Sequence, residues 1–267
     1  MRRLIAFACR GETLLGTLDA ATGTTGILIV SGGNEPRMGA HRGMAMLATR
    51  LAAQGHPVFR YDRRGVGDSE GTNGGWRSAA PDLAAAAATF RAEAPHLTRL
   101  IAFGNCDAAT TLALYGRAAG IDRIILANPW LGQDGDALPP AAAIRKHYAQ
   151  RLASPGAWWR LARGGIDLTR LRAGLVKLWH SPTPPLSDTV LDAIAGWDEN
   201  ASILLAEGDA TAIAFQAAAR HRRFTTRCVA TASHSFAGHA QAVDAAILAA
   251  LNQKVVLTPS VKMRPSR

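Results

Sequence analysis

Short, strongly apolar runs recur along this chain, and longer stretches with helical spacing separate them. Runs at 27–30 (ILIV), 57–61 (PVFRY), 100–103, 124–127, 203–205 and 228–230 read as strands. Helical periodicity fills 41–54, with Gly55 as a C-cap, then 81–94, with Pro81 in the first turn, then 106–119 and 239–251. Such repetition implies a mostly parallel central sheet with helices on both faces, an α/β fold whose active site lies at the carboxyl ends of the strands. Alanine supplies much of the apolar content and aromatics are only 6% of residues. That favours helices packed closely on a sheet over an aromatic-rich β sandwich.

The 267 residues exceed the usual single-domain length but fit one α/β core with an insertion. Residues 131–199 break the alternation with paired prolines, the Trp158–Trp159 pair and arginine-rich helical stretches. They are expected to form a helical cap inserted between two core segments, 1–130 and 200–254. The basic stretch 255–267 has no clear period and reads as a flexible tail. Near the N-terminus, the apolar run 4–9 is too short for a secretory h-region and reads as a first strand.

Net charge is +10, but the basic residues are scattered and the densest cluster, Arg220-His221-Arg222-Arg223, is short. An acidic partner and an arginine-preferring genome both account for this. With no basic stretch interleaved with aromatics and no zinc-finger spacing, nucleic-acid binding is not expected. No apolar run reaches the roughly 18 residues of a membrane span. Cys9, Cys106 and Cys228 are too few and too widely spaced for a disulfide framework, and no CxxC metal pair occurs, so a reducing cytoplasm fits. Neither a metal nor a cofactor is called for.

The most informative segment is Leu100-Ile-Ala-Phe-Gly104-Asn-Cys106-Asp107-Ala108. A buried strand enters Gly-x-Cys-x-Ala and a helix starts at once. This is the strand-to-helix nucleophile elbow of α/β-hydrolases, with cysteine in the place of serine and Ala108 in the place of the second glycine. The alternative is a small buried residue at a tight junction. A helix N-terminus behind Cys106 favours a thiolate, whereas an Asp107 carboxylate facing the sulfur disfavours it. The fold places an acid and then a histidine downstream of the nucleophile. Asp209 follows the strand at 203–205 and is the candidate acid, with helix capping as its bland role and Glu207 as the fallback. His234, in Ser233-His-Ser-Phe236, is the candidate base; His239 falls in the closing helix. The oxyanion donors are expected to be the N–H groups of Asp107 and of Asn34, in the Gly32-Gly33-Asn34 loop.

Gly33-Asn-Glu-Pro-Arg37-Met-Gly-Ala-His41-Arg42, Phe59-Arg-Tyr-Asp62-Arg-Arg-Gly65-Val-Gly67-Asp68-Ser69-Glu-Gly71, Asn105-Cys106-Asp107 and Gln150-Arg-Leu-Ala-Ser-Pro155-Gly-Ala-Trp158 together resemble the exosortase A system-associated hydrolase 1 family of the α/β-hydrolase superfamily. The likeness covers most of the chain apart from the tail. It implies a bacterial protein accompanying a cell-surface export and exopolysaccharide system, without an established substrate. The Asp62-x-Arg-Gly-x-Gly-x-Ser pattern reads first as a glycine-shaped turn. Arg37, His41 and Arg42 either bind an anionic substrate group with Gly33 or are solvated charges at a helix start. Trp158 and Trp159 either line an acyl pocket or pack the cap on the core.

The expected chemistry is acyl transfer from an ester, thioester or lactone, possible on a carrier, through an acyl-cysteine. Transfer to a second acceptor instead of water is the alternative. Two non-enzymatic rivals are a hydrolase scaffold kept for binding a partner and a basic protein acting at anionic membranes.

Overall fold

The computed structural model describes residues 1–132 and 185–252. The expected pair Trp158–Trp159 and the 255–267 tail lie outside these residues.

Eight strands form one sheet: β1 (Arg2–Cys9), β2 (Glu12–Asp19), β3 (Thr25–Val30), β4 (Val58–Tyr61), β5 (Arg99–Asn105), β6 (Arg123–Ala127), β7 (Ala201–Ala206) and β8 (Thr226–Val229). Their order is β1-β2-β4-β3-β5-β6-β7-β8. From β4 to β8 every neighbouring pair is parallel; β1 and β2 add an antiparallel edge. Arg10 (φ 51°) and Gly11 (φ 88°) join β1 to β2, and two successive positive φ values are what a two-residue type I′ hairpin turn demands.

Strands β3 to β7 are buried along nearly their whole length because both faces of the sheet are covered there, whereas the edge strand β8 is exposed. Ile27, Ile29, Ile101 and Phe103 pack on one face with Leu47 and Leu51 of α1 (Gly43–Ala53) and with Val243 and Ile247 of α6 (Ala240–Asn252). Leu28, Val30, Leu100 and Ala102 pack on the other face. There they meet Phe90 of α2 (Ala79–Glu93), Leu112 of α3 (Asp107–Tyr115), Ile194 of α4 (Pro185–Ala195) and Phe215 of α5 (Ala210–Ala218). The period-2 alternation of strand side chains sorts neighbouring residues into the two layers.

Two differences from the sequence expectation bear on the packing. His41 and Arg42 hold φ of 51° and 59°, so α1 starts at Gly43 rather than at residue 41. The last part of the expected cap, including α4 and Trp197, packs in the core: Val190, Leu191, Ile194 and Trp197 are buried against the α3 layer. The Trp197 indole N–H donates to the Ala113 carbonyl at 3.0 Å, and Arg117 stacks over its ring. Sheet order places β3 between β4 and β5, so the β3–β4 and β4–β5 connections run in opposite directions. The crevice at the carboxyl ends of β3 and β5 is therefore the topological switch point, where such sheets bind ligands.

Truncating Trp197 to alanine removes a large buried ring and leaves the Ala113 carbonyl unpaired. Its cost should be about 3–5 kcal/mol, read as a lower denaturant midpoint in equilibrium unfolding. A shift within error would mean that α4 is not integral to the core.

Candidate active site

Cys106 alone makes the turn between β5 and α3. Its backbone has φ 61° and ψ −126°, a region that L residues rarely occupy unless the surroundings impose it. Here they do. The Cys106 N–H donates to the Ala127 carbonyl of β6 at 3.0 Å. Its carbonyl accepts from the Ala109 N–H at 3.1 Å and the Trp130 N–H at 3.3 Å. A Cβ at residue 104 would come within 2.9 Å of Leu112 and 3.0 Å of the Ala108 backbone, so only glycine lets α3 lie this close to β5. Ala108 is fully buried there and serves where a second glycine was the expected pattern.

Asp209 closes β7 and caps α5. One carboxylate oxygen accepts the Ala212 N–H at 3.0 Å; the other lies 3.1 Å from His234 Nδ1. One oxygen thus caps α5 while the other faces His234. The His234 N–H is not aligned on that oxygen as a straight hydrogen bond, although the separation is short. Glu207, on the same turn, is exposed. His239 is exposed just before α6.

The loop carrying His234 is held by two carboxamides. Asn105 Nδ2 and Asn128 Nδ2 each donate to the His234 carbonyl at 3.0 Å. Asn128 Oδ1 accepts the Ala206 N–H at 2.9 Å, and its Nδ2 also reaches Asn105 Oδ1 at 3.3 Å. The ends of β5, β6 and β7 and the histidine loop are thereby tied at one buried point. Asn105 is the one amide in β5 and stands immediately before Cys106, and that was its signal in the sequence. Asn128 carried the same signal at the end of 124–127.

Electrostatics follow from this packing. The Asp209 carboxylate, and after it Cys106, push the His234 imidazole up to about 10, against burial, which works in the other direction. Burial would raise the Asp209 carboxyl; contact with His234 and with the amides of Ala212 and Thr211 outweighs it and holds the group below its ordinary value.

On the β3 side, a Cβ on Gly32 would overlap the Asn105 carbonyl oxygen and lie 3.4 Å from the Cys106 Cβ. The loop therefore passes directly beside the elbow. The Gly33 N–H is directed at Asp107 Oδ1 (2.6 Å), whereas Asn34 is exposed and its side-chain oxygen accepts from Asn73 Nδ2 at 2.7 Å. Asp107 turns its carboxylate to Gly33 and to Arg63 (3.1 Å). Arg63, almost fully buried, also donates to the Gly33 carbonyl. Within the glycine-shaped motif after β4, this role of Arg63 left no trace in local sequence.

The remaining candidates lie differently. The Arg37 guanidinium is engaged by the fully buried Asp62, by Asp68 at 2.8 Å and by Thr17 at 3.1 Å, so it braces the loop after β4. His41 and Arg42 are exposed on the approach to α1. Trp130, whose backbone N–H meets the Cys106 carbonyl, lies ring to ring 6.4 Å from Trp76.

The sheet order, the elbow and the site at the switch point are those of α/β-hydrolases, and the model of the family described as "Serine aminopeptidase, S33" matches residues 25–175, more than half of the chain. The chain belongs to this family. It is a hydrolase, and cysteine stands at its β5–α3 turn. No curated protein matches it in sequence. An esterase of Pyrococcus furiosus is similar in structure, with a TM-score of 0.62 at 15% identity over 94% of this chain and 91% of that one. An α/β serine hydrolase without a lid from Xanthomonas campestris has a TM-score of 0.59 at 16% identity, covering 97% of each chain. A thioesterase domain from the curacin biosynthetic pathway has a TM-score of 0.56 at 16% identity, over 93% of this chain and 99% of that one. At these identities the likeness is one of fold.

Two measurements probe the site. Asn128→Ala strands the Ala206 N–H, so it should cost about 1–3 kcal/mol for the buried group left unpaired, seen in chemical denaturation; an unchanged midpoint would deny the clamp. The His234 contribution to stability is whole below its unfolded value of about 6.5 and fades as pH rises through the folded value of about 10. That of Asp209 is present above about 3.9 and lost at lower pH. His234→Ala should therefore depress Tm by a few degrees near pH 6 and by progressively less toward pH 10 in scanning calorimetry. A pH-independent difference would refute the pairing.

Proposed function

We propose that the chain hydrolyses an ester or thioester through an acyl-cysteine, with Cys106 as nucleophile, His234 as base and acid, and Asp209 as the partner that orients and charges the imidazole. The observation that carries this reading is Cys106 in the left-handed elbow with His234 and Asp209 in contact order behind it. The esterase and thioesterase among proteins of the same fold support the substrate class.

In the first half-reaction the Cys106 sulfur attacks the carbonyl carbon. A C–S bond forms and the carbonyl π pair moves onto oxygen, where the Asp107 N–H and an N–H of the 32–34 loop would stabilise it. Collapse breaks the bond to the leaving oxygen or sulfur, which takes a proton from His234. Water then attacks the thioester, gives its proton to His234, and the acid leaves with the Cys106 sulfur restored.

A histidine held protonated at neutral pH suits a thiolate, and exchange between thioesters is nearly isoenergetic. Thioester substrates, free or carrier-bound, therefore fit the site at least as well as oxygen esters, and transfer to an alcohol acceptor uses the same intermediate. The motif likeness supports a place in exosortase-linked exopolysaccharide metabolism. A reduced thiol nucleophile and the absence of disulfides among the described cysteines suit the cytoplasm. Among the described residues no helix is long and apolar enough to cross a membrane.

A panel of aryl esters and acyl thioesters, followed by mass spectrometry of the intact protein, tests the reading. An acyl adduct mapping to Cys106 is expected, with turnover reduced by about 10³-fold or more in Cys106→Ala, as for loss of a nucleophile. Full turnover in Cys106→Ala on every substrate that wild type accepts would sink the proposal. Product analysis with added alcohols separates transfer from hydrolysis.

A further inference from the structure

The N–H groups available for an oxyanion beside Cys106 are those of residue 107 and of the loop that runs past the elbow. Gly32 is the point of closest approach of that loop, and Gly33 is the next residue. The Gly33 N–H is already taken, however. It donates to Asp107 Oδ1 at 2.6 Å, Asp107 Oδ2 pairs with Arg63 at 3.1 Å, and Arg63 donates back to the Gly33 carbonyl. The three residues close a ring of hydrogen bonds across the oxyanion loop, the turn after β4 and the start of α3.

We propose that the Asp107 carboxylate is an internal occupant of the oxyanion site, which the substrate carbonyl must displace. This rests on the acyl-cysteine reading above and concerns the specificity of the same site. A carboxylate oxygen resembles the developing oxyanion in charge and in its preference for N–H donors, so it competes for the Gly33 N–H directly. Arg63 decides how firmly. Its guanidinium is nearly buried, while the Asp107 side chain keeps some contact with solvent. The carboxylate is therefore the partner free to turn outward, and the guanidinium stays beside the loop as a fixed positive charge. With Asp107 in place, two negative oxygens would crowd one donor, and reactions that build less charge on the carbonyl oxygen are penalised less. Thioesters and activated esters, with early transition states, are then accepted over ordinary alkyl esters.

The predicted consequence is unusual for a residue adjoining a nucleophile, because removing the Asp107 side chain should help. Asp107→Ala retains the residue-107 N–H and frees that of Gly33. Acylation of Cys106 by p-nitrophenyl acetate, followed by mass spectrometry, should quicken by about tenfold or more, the value of a hydrogen bond to a charged group. The preference for a thioester over an alkyl ester should fall by a similar factor. Asp107→Asn keeps the shape and a neutral acceptor, so a smaller rise is expected; it also carries the test if the alanine variant does not fold, as thermal unfolding would reveal. An adduct forming at the wild-type rate or slower in the folded variants overturns the inference alone. No Cys106 adduct in any of the three proteins, with either substrate class, overturns the acyl-cysteine reading and this inference with it.

Discussion

The strained backbone at Cys106 is the constraint on which the rest of the site depends. A residue at φ 61° and ψ −126° stays there only if every neighbour over-determines it. β6 does so from one side by accepting the Cys106 N–H, and Trp130 does so from another by donating to its carbonyl. Gly104 and Gly32 remove the side chains that would hold α3 and the β3 loop away. The strain lifts the side chain out of the sheet plane at the point where the β3 and β5 ends diverge. The sheet topology and the elbow are therefore two parts of one device.

The second part is the transfer of rigidity from the sheet to the His234 loop. Loops are the mobile parts of α/β folds, and a base must hold its place to within a fraction of an ångström. Asn105 and Asn128 meet this need by donating to the one carbonyl of the residue that matters, from the ends of two adjacent strands. Amides suit the position better than acids. A buried carboxylate could not donate to that carbonyl, and it would add a second negative charge near Asp209.

Much of this was legible in the sequence because it is local. A buried strand, Gly-x-Cys-x-Ala and a helix follow one another without a gap, and Asp209 and His234 come after β7 and β8, where the fold brings them to 3.1 Å. What was not legible depends on partners far apart in the chain. β2 mixes threonine and glycine into its leucines, and it becomes a strand by pairing with β1 and β4. α4 lies behind a segment whose prolines suggested an insertion throughout, and its burial against α3 settles its place. Arg37 read either as an anion binder or as a solvated charge, and it is neither, because Asp62 and Asp68 engage it across the fold. The same applies to Asp107, whose charge beside the sulfur looked unfavourable until Arg63 and Gly33 supplied partners that turn it aside.

Cysteine at the elbow is coherent with the electrostatics around it. A serine hydroxyl stays neutral at physiological pH and must be deprotonated during attack, so its histidine has to be neutral beforehand. Here Asp209 and Cys106 push the His234 imidazole up to about 10, which favours its protonated form. It can neutralise a thiolate and later protonate a leaving group. Replacing the sulfur by oxygen would remove one of the two groups that raise the imidazole, but the Asp209 contact, the larger of the two, would remain. Cys106, His234 and Asp209 are thus coupled electrostatically, with Asp209 the larger influence on the imidazole and Cys106 the smaller.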